Sequence, residues 1–239
     1  MRIATRLVII MKSIDNQTKN KRDPEGTRRR ILAAAIEEFV EGGLFGARVD
    51  KIAKKANTNE RMLYYYYGCK EQLFKAVLEH TIGCFVDAIE KIDFNGLDPI
   101  QSIVCYARFM WCYYAAHPEI IRIINNENLH RAYYWEGANV PEMVAPAITL
   151  LKNLVTEGIE KGQIRRTIDS CYLYLTISAL GDYSVSNRFT LKATLNRDFL
   201  SAKEQVTLLN VNEEVLVNYL LGTDHAISQE KKNLIDCAA

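Results

Sequence analysis

Apolar positions along this chain recur with the period of an α-helix almost from end to end. Ile31, Leu32, Ala35, Ile36, Phe39 and Val40 stand at i, i+1, i+4, i+5, i+8 and i+9, which is one face of a helix. Asp23-Pro24-Glu25 or Thr27 supplies its start, and Gly42-Gly43 its end. A second, short helix carries Val49, Ile52, Ala53 and Ala56, and Asn57-Thr58-Asn59 interrupts it. A third is expected over 60–67, closed by Gly68, and a fourth opens at Cys69-Lys70-Glu71 and continues through Leu73, Phe74, Val77 and Leu78 to about Phe85. Longer helices follow over 98–116, 118–129, 142–161, 168–187 and 201–222, with breaks at Gly96, His117-Pro118, 137–141, Gly162 and Gly222. Strand-like alternation is nearly absent, and five prolines and twelve glycines interrupt the pattern rarely. The pattern predicts an all-α protein with a loose basic tail over 1–22 and a frayed tail over 223–239.

Residues 49–67 have a specific geometry: two short helices separated by three polar residues. Ala53 is small enough to let the two cross closely. The turn needs a left-handed backbone, and after Gly the residue best suited to that is Asn, here Asn57. Asn59 can cap the second helix through its side chain. This is the layout of a helix-turn-helix, whose second helix can lie in the major groove of DNA. Glu60, Arg61, Met62, Tyr65 and Tyr66 project from the face opposite Leu63 and Tyr67. Arg61 can donate two hydrogen bonds to a guanine edge. Tyr64, Tyr65 and Tyr66 offer hydroxyls to phosphates and ring faces to thymine methyls. Lys70, at the start of the next helix, combines its charge with exposed N–H groups as a phosphate clamp. Four consecutive tyrosines also suit a packed aromatic helix, so Tyr67 is assigned to the core and Tyr64 to a half-buried position.

Charge supports that placement. The chain is 239 residues long with a net charge of +1, which by itself points to no partner. Residues 1–80 hold 16 Lys and Arg against 10 Asp and Glu, whereas residues 81–239 hold 14 against 19. The basic part is the part expected to meet a polyanion. Six cysteines without a CxxC pair indicate a reducing compartment and no disulfide framework, with a redox role for Cys105 and Cys112 the less favoured alternative. The apolar run 7–11 is too short for a signal-peptide core, and no stretch reaches the ~18 apolar residues of a membrane span. A cytoplasmic protein is expected, with no membrane partner.

The run RILAAAIEEFVEGGLFGARVDKIAKKANTNERMLYYYYGCKEQLF, residues 30–74, resembles the DNA-binding domain of the TetR family of bacterial transcriptional regulators. The matching features are an Ile-Leu-Ala-Ala first helix, a Gly43-Leu44-Phe45 turn, an Ile-Ala second helix, a Leu-Tyr third helix and Cys69-Lys70-Glu71 opening the fourth. Ala47-Arg48 stand where the family often has two threonines, so the charge of Arg48 replaces a phosphate-binding hydroxyl. The turn reads Ala56-Asn57-Thr58-Asn59 where Ala-Gly-Val-Ser is usual. The resemblance implies a helix-turn-helix DNA-binding domain over 23–70 and a helical ligand-binding and dimerisation domain over 71–222. It assigns DNA contact to Arg48, Asn59, Glu60, Arg61, Met62, Tyr64, Tyr65, Tyr66 and Lys70. It further implies a homodimer paired through 168–187 and 201–222, bound to a pseudo-palindromic double-stranded operator and released by a small-molecule effector.

Polar aromatic residues concentrate between Tyr106 and Trp135, and an apolar pocket with a few placed polar groups is what a small-molecule site requires. Tyr106, Phe109, Met110, Tyr113, Asn126, His130 and Trp135, with Tyr183 from a later helix, are the candidate ligand contacts. The same residues also suit a plain aromatic core. His130 is open to three roles: ligand donor, metal ligand or helix cap. No second His or carboxylate converges on it, so no metal is expected. The four dispersed histidines accompany no nucleophile elbow, phosphate-binding Gly-rich loop or zinc signature, so neither catalysis nor a cofactor is expected. A DNA-binding architectural protein without an effector is the alternative reading.

Overall fold

The computed structural model describes residues 23–135 and 138–222, and these form ten helices with no strand among the described residues. The expected tails over 1–22 and 223–239 lie outside them. The helices are α1 (Pro24–Gly46), α2 (Val49–Lys55), α3 (Glu60–Tyr67), α4 (Lys70–Ile89), α5 (Pro99–Ala116), α6 (Pro118–Leu129), α7 (Val140–Glu160), α8 (Ser170–Ser186), α9 (Arg188–Leu195) and α10 (Ala202–Leu221).

Local chemistry sets most boundaries. Asp23 caps α1 by accepting from the Gly26 amide at 2.8 Å, with Pro24 in the first turn. The helix breaks at Gly43, as its sequence predicts, but a further turn continues to Gly46. Gly43 has φ +60°, and a Cβ there would lie 2.5 Å from Asn126 Oδ1. Only glycine meets both demands. Asp98 and Gln101 form a reciprocal capping box at the start of α5. α4 runs four residues beyond the expected Phe85.

The buried side chains fall into two clusters that share α4. Its first half, through Leu73, Phe74, Val77 and Leu78, packs with Ile31, Phe39, Ile52 and Leu63 of α1–α3. Its second half, through Ile82, Phe85 and Ile89, packs with α5, α7, α8 and α10 around Ile103, Met110, Leu151, Ile177 and Leu216. Phe74 meets Phe39 edge-to-face, ring centres 5.0 Å apart. α6 crosses back, and Ile123 joins the first cluster.

One helix escaped the sequence pattern. α9 buries none of its side chains, so it has no inward stripe to read. An ion pair ties it down, Arg188 with Asp198 at 2.8 Å.

α5 and α8 approach closely in the second cluster. The Trp111 indole donates to the Ile177 carbonyl at 2.8 Å, and a Cβ on Gly181 would meet Trp111 Cδ1 at 2.4 Å. Gly181→Ala should therefore overpack this contact and cost about 1–3 kcal/mol. Thermal unfolding should show a midpoint roughly 2–10 °C lower; an unchanged midpoint would mean that the indole is free to move aside.

Candidate nucleic-acid interface

α2 and α3 carry the helix-turn-helix, and the turn between them has the backbone its residues demand. Asn57 is left-handed at φ 51°. The Thr58 amide donates to the Ala53 carbonyl at 3.0 Å, closing α2. Asn59 accepts from the Met62 amide at 3.0 Å, capping α3. Ala53 is buried at the crossing.

α3 presents a buried side and an open one. Leu63 and Tyr67 are buried, and the Tyr67 hydroxyl donates to the Arg28 carbonyl at 3.1 Å while the Arg28 guanidinium sits over its ring. Burial pushes the Tyr67 phenol up from its ordinary range. Glu60, Arg61, Tyr64 and Tyr65 are exposed, Met62 and Tyr66 half-buried. Tyr65, 77% exposed, packs edge-to-face on Tyr66 with 5.2 Å between ring centres. A large aromatic surface is thus held open on the outside of a short helix. Arg61 makes no hydrogen bond or ion pair among the described residues, so its guanidinium is available to a base edge.

Two cations open the helices before and after α3. Lys70 lies in the first turn of α4 and donates to the Phe45 carbonyl at 3.5 Å. Arg48 precedes α2 and forks onto Asp50, with contacts of 3.0 and 2.8 Å. The Arg48 guanidinium holds the Asp50 carboxyl below its usual range, and that carboxylate partly offsets the Arg48 charge. Arg48 remains exposed, but it is less free to meet a phosphate than Arg61.

Two residues the sequence reading passed over position this surface. Glu38 is buried on α1, where its carboxylate accepts from the Arg48 amide at 3.3 Å and pairs with Lys55 at 3.5 Å and Lys51 at 3.8 Å. It fixes α2 against α1. Arg30 donates to the Ala56 carbonyl at 3.3 Å, holding the end of α2 from the other side. The signal for Glu38 was present: a carboxylate beside Phe39 on the inward stripe, with two lysines at i, i+4 on the next helix.

The eight candidate ligand contacts divide: Tyr106, Phe109, Met110, Tyr113 and Trp135 share the second cluster, and Asn126, His130 and Tyr183 lie elsewhere. Tyr106 and Met110 are fully buried on α5, and Phe109 and Tyr113 flank them, half-buried. Asn126 presses against Gly43, and His130 meets Phe45 edge-to-face, with ring centres 4.7 Å apart. His130 is the C-cap residue of α6, its backbone N–H donating to the Glu127 carbonyl at 2.9 Å. Trp135 lies against both clusters, and Tyr183 is exposed. Helical periodicity placed these residues on helices but not the helices on each other. Among the described residues no group of three metal-ligating side chains occurs, and no helix is long and apolar enough to cross a membrane.

Two family profiles match the chain. Residues 31–77 match "Bacterial regulatory proteins, tetR family", and residues 99–215 match "Tetracyclin repressor-like, C-terminal domain". The chain is 37% identical over 173 residues to the HTH-type transcriptional repressor NicS of Pseudomonas putida, covering 72% of this chain and 82% of that one. It is 32% identical over 171 residues to the HTH-type transcriptional repressor SCO4008 of Streptomyces coelicolor, covering 69% and 81%. Its fold is shared by the transcriptional regulator FadR of Bacillus subtilis, solved in complex with stearoyl-CoA, at a TM-score of 0.61 and 20% identity over 80% of this chain and 97% of that one. The geometry of α1–α4, the paired profile matches and these relatives converge: the chain belongs to the TetR family of bacterial regulatory proteins.

Proposed function

We propose that this protein is a homodimeric transcriptional repressor that grips a pseudo-palindromic operator through α3 and is released by a small-molecule effector held in the α5–α10 region. The observation that carries the reading is the open face of α3, where Arg61, Tyr64 and Tyr65 are exposed and Lys70 opens the helix that follows. Repressor relatives at 37% and 32% identity support the sign of regulation. The stearoyl-CoA complex of the Bacillus subtilis protein supports the capacity of this fold to hold an effector.

Dimerisation is supported by apolar surface with no cover in the single chain. Tyr172, Leu175 and Tyr183 are each more than 60% exposed on α8, and Val206, Val211 and Val215 are exposed on α10. Two helices with open apolar faces suit a four-helix pairing with a second copy. In such a dimer two α3 helices enter successive major grooves roughly 34–36 Å apart. An effector that favours a different spacing lowers operator affinity by the coupling free energy, typically ~1–3 kcal/mol.

Two experiments test this. Arg61→Ala should relax sequence preference at one operator position, at a cost of about 1–3 kcal/mol. Lys70→Ala should weaken all sequences alike and reduce the salt slope by about one unit. Mobility-shift titrations at several salt concentrations separate the two effects, and operator binding unchanged in both variants would refute the assignment of this face. Separately, Leu175→Glu should turn the dimer into monomer in sedimentation equilibrium. A dimer that survives that charge would place the pairing surface elsewhere.

A further inference from the structure

The strongest unassigned feature lies where α5 packs on α8. Tyr106, Met110 and Tyr114 stand at i, i+4 and i+8 on α5, and Tyr174, Ser178 and Asp182 repeat that spacing on α8. The two stripes meet in one cluster, with Tyr106, Met110 and Tyr114 buried in it and Tyr174 packed against it, and Ser178 and Asp182 lie close enough to act on the Tyr114 hydroxyl. Polar groups therefore line a seam inside an otherwise apolar cluster. They satisfy each other only in part. Ser178 acts on the Tyr114 and Tyr174 hydroxyls without closing a well-formed hydrogen bond, and Tyr106 Oη is fully buried with no partner. A buried hydroxyl left unpaired costs about 1–3 kcal/mol, and core tyrosines ordinarily find a partner. Phenylalanine would fill the same space without that cost.

The charge of the seam is also one-sided. Asp182 is half-buried, and its carboxylate takes a hydrogen bond only from the Ser186 hydroxyl, at 3.1 Å. Burial raises its pKa, and no cation counteracts the rise. The groups acting on Tyr106, Tyr114 and Tyr174 include no Lys, Arg or His. The nearest basic residue along α5, Arg108, is engaged by Glu213 of α10.

We propose that this seam, formed by Tyr106, Tyr114, Tyr174, Ser178 and Asp182, is the effector site and that it takes a small cation, an amine or protonated nitrogen heterocycle. The proposal rests on the ligand-responsive reading above and extends it to a site and a ligand class. Tyrosine faces attract a cation through the ring quadrupole, Asp182 supplies the opposite charge, and the unpaired hydroxyls supply orienting hydrogen bonds. A carboxylate or acyl phosphate would find neither a cation nor a free amide there. Of these five, only Tyr106 was among the candidate ligand contacts read from the sequence. The seam is closed, so a guest must part α5 from α8 to enter. Those are helices that the Trp111–Ile177 hydrogen bond holds together, and α8 carries the open apolar face. Occupancy thereby reports directly to the surface expected to set dimer geometry.

The test is a thermal-shift screen of the full chain with matched trios, each ring skeleton supplied as amine, alcohol and carboxylate; benzylamine, benzyl alcohol and benzoate are the simplest. Stabilisation should concentrate in the amine arm. Asp182→Asn should weaken the best amine at least about tenfold in calorimetric titration. Tyr106→Phe should weaken it too, yet leave the unliganded melting point equal or higher, because an unpaired buried hydroxyl is removed. A hydroxyl with a merely structural role would lower that melting point. Stabilisation by carboxylates, or an amine effect indifferent to both substitutions, overturns the site and the ligand class. A compound that releases operator independently of Asp182 and Tyr106 overturns this proposal while the ligand-responsive reading stands. If no compound in any arm alters melting or operator binding, both fail.

Discussion

The placement of the helix-turn-helix in this molecule is referred to the turn at Gly43–Phe45. The backbone there is left-handed at Gly43, and the position has no room for a side chain, because Asn126 of α6 occupies the space. Two residues on, the Phe45 ring meets His130 edge-to-face, and its carbonyl receives Lys70. The Ala47 amide closes the turn on the Gly43 carbonyl at 3.1 Å and so sets where α2 begins. A single segment thus touches the far end of α6, the start of α4 and the first residue of the helix-turn-helix. Moving it moves all three.

The buried carboxylate of Glu38 completes the frame. Two lysines and one backbone amide converge on it from α2. Ionising a buried carboxylate is costly unless it is paired and hydrogen-bonded, and here it is both. The geometry is also specific: an apolar replacement would fill the space but leave the Arg48 amide and Lys51 without this partner, while Lys55 would keep Glu37. Arg30, bonded to the Ala56 carbonyl, opposes it at the other end of α2. With α2 held at both ends, Asn57 and Asn59 need only shape the short connection to α3.

What the sequence revealed and what it hid divide along a physical line. Asn57 and Asn59 were legible because a left-handed turn and a helix cap are local demands, met by few residue types. The long helices were legible because each buries a stripe. α9 was not, since it buries nothing, and its boundaries rest on Asn187 and on the Arg188–Asp198 pair. Glu38 and Arg30 were passed over because their partners lie on another helix, and charge looks alike on buried and exposed faces until that helix is placed. The candidate ligand contacts suffered most from this. Asn126 and His130 share a helix with other polar residues, yet they serve the α1–α2 turn, while the tyrosines of α5 look inward to α8.

Energetics decide whether such a junction can transmit a signal. An effector coupling of ~1–3 kcal/mol is the size of one or two good polar contacts. The α6–turn junction contains contacts of that kind: the Asn126–Gly43 approach, the edge-to-face His130–Phe45 pair, and Glu127. Glu127 is buried, with one oxygen accepting from the Tyr134 amide at 3.1 Å and the other unpaired, and burial raises its pKa. A half-satisfied buried carboxylate leaves this corner below the stability that full pairing would give. Rearranging it costs correspondingly less than disrupting the apolar core around Phe39 and Phe74. The α1–α3 cluster and the α5–α8 packing meet at this corner as well as through α4, so a displacement of the kind proposed between α5 and α8 has a route through α6 to the Gly43–Phe45 turn.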